Sequence, residues 1–208
     1  MAYNVKTTEF IKKLPRAVEL ATQHILEINK EDNKGNKEGD TEFEYEATLR
    51  AQIYHNLLNA GVPFKDFTLD PKPALKGALG KKHIDLWFTQ DGYKHVLIEI
   101  KMINELKKWS GEFFKSDLRT ISNGRENGIV TDILKLEKTC RKLEKKVKAE
   151  GIMIVSCPHS GDRRLDVRKM EDSVANMVKK HKKHIKSQIS LLLSVPGKKH
   201  QLKLLTFI

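Results

Sequence analysis

Residues 83–102, HIDLWFTQDGYKHVLIEIKM, decide the fold that we predict for this chain. Two segments of this stretch alternate apolar and polar side chains with a period of two, which is typical of half-buried strands. The Asp91-Gly92 dipeptide between them indicates an antiparallel hairpin. A two-residue turn would put the apolar faces out of register, so we expect a three-residue connection or a bulge near Gly92. The register that matches these faces has three apolar pairs: Ile84 with Ile100, Leu86 with Ile98, and Phe88 with Val96.

Three charged residues fall on the opposite face of this predicted hairpin. The register places Asp85 opposite Glu99, with Lys101 beside them, in strands that are otherwise rich in apolar residues. Charges inside a sheet are costly unless they are paired or bind a metal. Carboxylate oxygens from two strands suit Mg²⁺, and a nearby lysine can position water and neutralise charge, as phosphodiester hydrolysis requires. Ordinary ion pairs with neighbouring lysines, Lys81, Lys82 or Lys101, are the alternative.

The rest of the chain predicts further helices and strands around this hairpin. Apolar residues spaced three and four apart indicate helices, short apolar runs indicate buried strands, and a polar stretch with two glycines indicates an exposed loop. The predicted order is helix 10–28, loop 29–40, helix 41–60 capped by Thr41, strands 64–69, 83–89 and 95–102, helix 129–149, strand 151–157 and helix 170–187. Residues 189–195 and 201–208 form a hairpin, or else the first run continues the helix. The predicted fold class is α/β, with a central mixed β-sheet flanked by helices.

The charge of the chain is strongly basic and unevenly distributed. Lys and Arg number 39 against 27 Asp and Glu, a formal net charge of +12. Residues 159–208 alone hold 12 Lys and Arg against four Asp and Glu. Clustered positive charge favours a nucleic-acid partner, because neutralised phosphates release their counterions. The lysines predicted to contact nucleic acid lie on one basic segment, and a solvated basic face is the alternative for them: Lys179, Lys180, Lys182, Lys183 and Lys186.

Length and composition bound the organisation of the chain. A length of 208 residues favours a single domain, 1–208, in which a core at 41–157 follows an N-terminal helix and mobile polar loop at 1–40 and precedes a basic extension at 158–208. No apolar run approaches the roughly 18 residues that a membrane helix needs, and the N-terminus lacks the apolar stretch of a signal peptide. Two cysteines exclude a disulfide framework and a Cys-based zinc site. We therefore expect a cytoplasmic protein with no membrane partner.

Asp85, thirteen further residues and then Glu99-Ile100-Lys101 resemble the motif of the PD-(D/E)xK nuclease superfamily. The segment YEATLRAQIYHNLLNAG, residues 45–61, resembles the first core helix of that family. The predicted strands and helix that follow resemble the rest of its α-β-β-β-α-β, restriction-endonuclease-like core, so the similarity covers about residues 41–157. Ile84 stands where the motif has proline.

The resemblance implies a role for each residue of the motif. Asp85 and Glu99 would bind Mg²⁺, for which Mn²⁺ can substitute, with help from the backbone carbonyl of Ile100. Lys101 would position or activate the attacking water. Glu46 would orient water, hold the lysine or bind a second metal. An ion pair with the arginine four residues further along its helix is the alternative for Glu46.

The implied activity is Mg²⁺-dependent endonucleolytic cleavage of DNA. An RNA-directed nuclease and a nucleic-acid-binding module that does not cut are the alternatives. Relatives of this class often act as homodimers, and the apolar residues of 189–208 could form such an interface. They could equally extend the sheet of their own chain.

Overall fold

The computed structural model describes residues 5–32, 42–62, 67–69, 84–90, 94–103, 118–122, 125–144, 148–158, 166–181, 185–198 and 202–205. Within these ranges the chain forms four helices: α1 Val5–Asp32, α2 Glu42–Asn59, α3 Ile129–Leu143 and α4 Val167–His181. The strands of the same ranges are β1 Phe67–Leu69, β2 Leu86–Gln90, β3 Lys94–Met102, β4 Thr120–Ser122, β5 Arg125–Asn127, β6 Lys148–Ser156, β7 Gln188–Ser194 and β8 Leu202–Leu204. None of the described helices combines the length and the hydropathy that crossing a membrane requires.

A mixed sheet lies at the centre of the fold. Its strands follow the order β1-β2-β3-β6-β7-β8, and β4 and β5 pair separately. β2 pairs antiparallel with β1 on one side and with β3 on the other, β3, β6 and β7 run parallel, and β8 returns antiparallel to β7. The helix α3 connects the parallel strands β3 and β6, as such a pair requires. The predicted α/β class, with a central mixed sheet flanked by helices, is confirmed, and α2, β1, β2, β3, α3 and β6 follow the predicted α-β-β-β-α-β order.

The register of the β2–β3 hairpin agrees with the prediction over the length of β2. Three residues, 91–93, connect the last pair of the ladder, which is the expected length of the connection. The matching of apolar faces therefore predicts this pairing correctly. The observed pairs are Leu86 with Ile98, Trp87 with Leu97, Phe88 with Val96, Thr89 with His95, and Gln90 with Lys94.

The predicted strand 83–89 is wrong at its start, because β2 begins at Leu86. The ladder between the described residues stops there, before the predicted pair of Ile84 with Ile100. The Asp85 side chain accounts for this end, since its Oδ2 accepts the backbone N–H of Ile100 at 2.8 Å. A continuing strand would place a backbone carbonyl at that position. The chain therefore leaves the ladder where the Asp85 carboxylate reaches β3.

Apolar side chains fill both faces of the sheet. Helices α1 and α2 cover one face, where Phe10 stacks on Phe88 with ring centroids 4.3 Å apart. Helices α3 and α4 cover the other face. Gly151 in β6 lets α3 approach closely, since a Cβ there would lie 3.3 Å from Leu136 Cβ and 2.6 Å from Ile189 Cδ1. A larger side chain at Gly151 would therefore require Leu136 or Ile189 to move.

Several predicted boundaries are wrong by a few residues. α1 continues to Asp32, through the start of the predicted loop 29–40, and the rest of that loop and the Thr41 cap lie outside the described residues. α3 ends at Leu143 and not at residue 149, because residues 148–150 belong to β6 and pair with β3. Of the strand predicted at 64–69, the structure describes residues 67–69, which form β1.

The predicted helix 170–187 is also too long at its C-terminal end. α4 ends at His181, and the described residues 185–187 are not helical. Two glutamates of the α3 region hold this segment instead. The backbone N–H of Lys186 donates to Glu137 Oε1 at 3.4 Å, and the Ser187 hydroxyl donates to Glu144 Oε2 at 3.0 Å. These contacts direct the chain into β7.

The C-terminal residues form a hairpin that completes the sheet. β7 pairs in parallel with β6, and β8 pairs antiparallel with β7, so the alternative of a continued helix is wrong. The side chains of Leu191, Leu192 and Leu193 are buried in the core of their own chain. These residues thus extend the sheet of their own chain, and a homodimer stays a prediction.

Candidate active site

The four predicted catalytic residues come from three elements that meet at one end of the β2–β3 hairpin. Asp85 precedes β2, Glu99 and Lys101 lie near the end of β3, and Glu46 lies in the first half of α2. Burial raises the pKa of both glutamates, and the negative charge of Asp85 raises each further. Because such effects act over short distances, the carboxylates share one electrostatic environment. The structure therefore brings the four residues together.

The Asp85 carboxylate is held from two sides. Its Oδ2 accepts the Ile100 N–H at 2.8 Å, and its Oδ1 accepts a hydrogen bond from Arg50 Nη1 at 3.2 Å. In a strand, the N–H and C=O of one residue face the same neighbour. The Ile100 carbonyl therefore faces the Asp85 side of β3. The alternative partners, Lys81 and Lys82, lie outside the described residues.

Glu99 is a buried carboxylate in the interior of the sheet. Only 5% of the residue is exposed, and its Oε1 lies 2.5 Å from Lys135 Nζ of α3. Burial raises the pKa of Glu99 well above its usual range, the Lys135 ammonium opposes the increase, and Asp85 and Asp132 add to it. Desolvation thus outweighs the ion pair, and a further cation beside Glu99 would favour its ionised form.

Lys101 and Glu46 form a half-exposed pair next to this buried one. Lys101 Nζ lies 3.8 Å from Glu46 Oε2, and the same oxygen accepts the Met102 N–H at 3.5 Å. Burial raises the pKa of Glu46, while Lys101 and the hydrogen bond from Met102 oppose the increase. The alternative for Glu46 was an ion pair with Arg50. In the structure Glu46 pairs with Lys101 of β3, and Arg50 pairs with Asp85.

Three further charged residues belong to this site and were not predicted as site residues from the sequence: Arg50, Asp132 and Lys135. Burial raises the pKa of Asp132, Lys135 and Lys101 oppose the increase, and Asp85 adds to it, so Asp132 belongs to the same cluster. Lys135 and Arg50 belong to it through their ion pairs. An acidic residue in the first turn of an amphipathic helix is the only sequence signal for Asp132. Nothing in the sequence distinguishes Lys135 from the other lysines of α3.

A glycine sets the start of the helix that carries Asp132 and Lys135. Gly128 precedes α3 with φ 104° and ψ 170°, a conformation that is essentially restricted to glycine. A Cβ at this position would lie 2.8 Å from the carbonyl oxygen of Leu118. The residue before the first turn of α3 therefore packs closely against the backbone of Leu118.

The donor groups suit a hard divalent cation. Asp85 and Glu99 supply carboxylate oxygens, and the Ile100 carbonyl faces the same side, which is the ligand chemistry that Mg²⁺ prefers. Within the described ranges, no three His, Cys, Asp or Glu side chains are arranged as a metal site. The predicted set is smaller, with two carboxylates and one carbonyl, and Mg²⁺ stays a prediction.

The predicted phosphate-contacting lysines are partly described. Lys179 and Lys180 are exposed in the last turn of α4 and Lys186 is exposed before β7, whereas Lys182 and Lys183 lie outside the described residues. In the same last turn, the His181 ring contacts the guanidinium of Arg119. The Cα of Arg119 lies 3.0 Å from the position of a Cβ on Gly128. The basic end of α4 therefore lies near the start of α3.

Comparison with known proteins gives a distant structural similarity. No protein-family model and no curated protein matches this chain. The solved structure of SfsA from Pyrococcus furiosus in complex with Ca²⁺ is similar over 77% of this chain, at 11% sequence identity and a TM-score of 0.34. This chain spans 64% of the length of that protein chain. At this identity and TM-score the similarity carries no information on activity.

Proposed function

We propose that this chain is a Mg²⁺-dependent endonuclease that hydrolyses phosphodiester bonds in DNA through a PD-(D/E)xK site. The observation that supports this most is the hydrogen bond from the Ile100 N–H to Asp85, which holds that carboxylate at the end of β3 beside the buried Glu99. Paired carboxylates beside lysines are the groups that metal-dependent phosphodiester hydrolysis uses.

The residues of the hairpin would hold the metal ion. Asp85, Glu99 and the Ile100 carbonyl are its proposed ligands, and Mn²⁺ is expected to substitute for Mg²⁺. When bound, the ion polarises the phosphate and lowers the pKa of a water molecule. Lys135 remains beside Glu99 and favours the ionised carboxylate, which is the form that binds a cation.

Lys101 would act on the water and on the phosphate. Its side chain is 35% exposed, so its ammonium is accessible to a substrate. Glu46 holds this ammonium from the α2 side and is itself oriented by the N–H of Met102. We therefore assign Glu46 the role of a positioning residue for Lys101. Hydrolysis by this class of site leaves a 5′-phosphate and a 3′-hydroxyl.

DNA is the proposed substrate because of the distribution of charge. The net charge of +12 favours a polyanion. The exposed Lys179 and Lys180 lie on the α4 end that contacts Arg119, near the start of α3. They are expected to contact backbone phosphates near the scissile bond, whereas Lys186, before the amino end of β7, is expected to contact phosphates further from it. Phosphate contacts do not distinguish DNA from RNA, so RNA is the alternative substrate.

A non-cleaving nucleic-acid-binding module is the second candidate, and one observation favours it. Arg50 pairs with Asp85 and Lys135 pairs with Glu99, so both carboxylates of the proposed metal site have a cationic partner within the protein. A site neutralised in this way does not require a metal for stability. Such a module would bind nucleic acid in a salt-dependent way without metal-dependent cleavage.

Cleavage of end-labelled substrates separates these candidates. Duplex DNA, single-stranded DNA, branched DNA and RNA are each incubated with the protein and Mg²⁺, Mn²⁺ or EDTA. The nuclease predicts EDTA-sensitive cleavage of a DNA substrate and products with 5′-phosphates. Salt-sensitive binding without cleavage of any substrate would reject the nuclease in favour of the binding module.

A further inference from the structure

Both oxygens of Asp85 already accept hydrogen bonds from the protein. Oδ2 accepts the Ile100 N–H at 2.8 Å, and Oδ1 accepts a hydrogen bond from Arg50 Nη1 at 3.2 Å. A carboxylate oxygen has two lone pairs, so Oδ2 can keep its hydrogen bond and still bind a cation. Oδ1 faces a full positive charge, which repels any second cation at the same carboxylate. Binding of a metal ion to Asp85 is therefore expected to weaken the ion pair between Arg50 and Asp85.

The two cationic side chains that neutralise Asp85 and Glu99 differ in burial. The Lys135 side chain is 22% exposed and contacts a Glu99 side chain that is 7% exposed. The Arg50 side chain is 36% exposed and contacts an Asp85 side chain that is 21% exposed. Removal of Lys135 would leave a buried carboxylate without its partner, which is strongly unfavourable. Arg50 can turn towards solvent at lower cost, so it is the cation that leaves.

We propose that Arg50 competes with a divalent metal ion for Asp85, so that Arg50 neutralises the metal-free site and sets its affinity for metal. This inference rests on the proposed metal site. Arg50 follows Glu46 by one helical turn, so α2 carries both the residue that holds Lys101 and the residue that a metal must displace. Arg50 is then a positioning residue for Asp85 in the metal-free protein.

Mn²⁺ binding to the full chain tests this competition without any need for activity. Free Mn²⁺ is measured by electron paramagnetic resonance during titration of the wild type, Arg50→Met and Arg50→Lys. Arg50→Met is expected to bind Mn²⁺ on the order of tenfold more tightly than the wild type, as for a typical coupling between two sites. Arg50→Lys keeps the positive charge and is expected to stay close to the wild-type affinity. Without metal, Arg50→Met is expected to melt at a lower temperature.

Arg16→Met is the matched control. Arg16 pairs with Glu19 at 2.7 Å on an exposed face of α1, so its removal breaks an ion pair outside the site. Its Mn²⁺ affinity is expected to equal that of the wild type. A change of the same size in Arg16→Met and Arg50→Met would overturn the inference, because it would reflect net charge alone.

The remaining outcomes separate this inference from the proposed function. Equal or weaker Mn²⁺ binding by Arg50→Met, with wild-type binding that Asp85→Asn abolishes, would overturn the competition and leave the metal site intact. Absence of Mn²⁺ binding in both the wild type and Arg50→Met would overturn the metal site itself. Tighter binding by Arg50→Met that Asp85→Asn removes in the double variant is the expected result.

Discussion

Lys135 Nζ lies 2.5 Å from Glu99 Oε1, and this contact ties the helix α3 to the central strand β3. The Glu99 side chain is almost fully buried. Breaking a buried pair from one side leaves an uncompensated charge, which costs much more than the loss of an exposed pair. The first turns of α3 are therefore part of the site and also part of the stability of the sheet.

Removal of this lysine is expected to destabilise the protein. Lys135→Met should lower the free energy of unfolding by about 3 kcal/mol at pH 7, because it leaves the buried Glu99 carboxyl group without its partner. Urea unfolding measures the change. Lys138→Met removes an exposed lysine of the same helix and is the control. If the free energy of unfolding falls no more in Lys135→Met than in this control, the Lys135–Glu99 ion pair does not stabilise the protein.

The stability of the protein is expected to fall as the pH rises through the titration of Glu99. Burial raises its pKa well above the usual value of 4.5 in the folded protein. Between the two pKa values the folded state binds more protons than the unfolded state, so the free energy of unfolding decreases with increasing pH. Glu99→Gln removes this contribution.

The stability of the Glu99→Gln variant relative to the wild type should therefore increase as the pH rises above about 4.5, the pKa of an unperturbed glutamate. Urea unfolding at a series of pH values measures the difference between the two proteins. Glu27→Gln, on an exposed face of α1, is the control and should follow the wild type. A difference between Glu99→Gln and the wild type that does not change with pH would contradict the effect of burial on Glu99.

Gly128 is expected to be essential for the start of α3. Gly128→Ala should lower the free energy of unfolding by about 1–3 kcal/mol, since its backbone conformation is restricted to glycine and the new Cβ would meet the Leu118 carbonyl. Gly197→Ala is the matched control, with φ 75° and nothing within 4 Å of the new Cβ. Thermal unfolding compares the two variants. Equal losses would mean that the contact with Leu118 contributes nothing.

Three buried hydroxyls join α1 to the ends of two central strands. Thr22 Oγ1 donates to the Val18 carbonyl and lies 2.9 Å from both Ser156 Oγ and Ser194 Oγ. Thr22→Val keeps the shape of the side chain but leaves the two serine hydroxyls without this partner, so it should cost about 1–3 kcal/mol.

Thr139→Val provides the comparison for this cluster in the same unfolding experiment. The Thr139 hydroxyl donates only to a carbonyl of its own helix, that of Lys135, in the contacts described for it. Its removal leaves no second side chain without a donor, so we expect a loss below about 1 kcal/mol. A Thr22→Val variant as stable as Thr139→Val would contradict a structural role for the hydroxyl cluster.

Much of the fold was predictable from local patterns. Strict alternation predicted the pairing of β2 with β3, and the charges of Glu99 and Lys101 were visible because they interrupt an apolar strand. The end of α3 was predicted wrongly because its apolar stripe continues past Leu143, where the chain must turn back into β6. The hydrogen bond of Ser187 to Glu144, which holds the segment between α4 and β7, is a tertiary contact that the local pattern does not specify.

From the residue pattern alone, the site was predictable where a charge interrupts an apolar strand, as at Glu99 and Lys101, and Glu46 was predicted from the resemblance to the nuclease superfamily. Arg50, Asp132 and Lys135 lie on amphipathic helices on which charged residues are normal. Their role depends on which turn of each helix packs against the end of the hairpin, and the sequence pattern does not specify this packing. The close approach of Leu136 to Gly151 is one of the tertiary contacts in this packing.

Cleavage of supercoiled plasmid by the wild type, Glu99→Gln and Lys101→Met tests the proposed nuclease site most directly. Mg²⁺-dependent nicking that EDTA abolishes is expected for the wild type and for the control Lys138→Met. Both site variants should lose about 100-fold or more in rate. Urea unfolding of Glu99→Gln in the cleavage buffer shows that the variant is folded, so that a loss of cleavage does not result from unfolding. Metal-dependent cleavage that survives in both variants would contradict a nuclease site at Glu99 and Lys101.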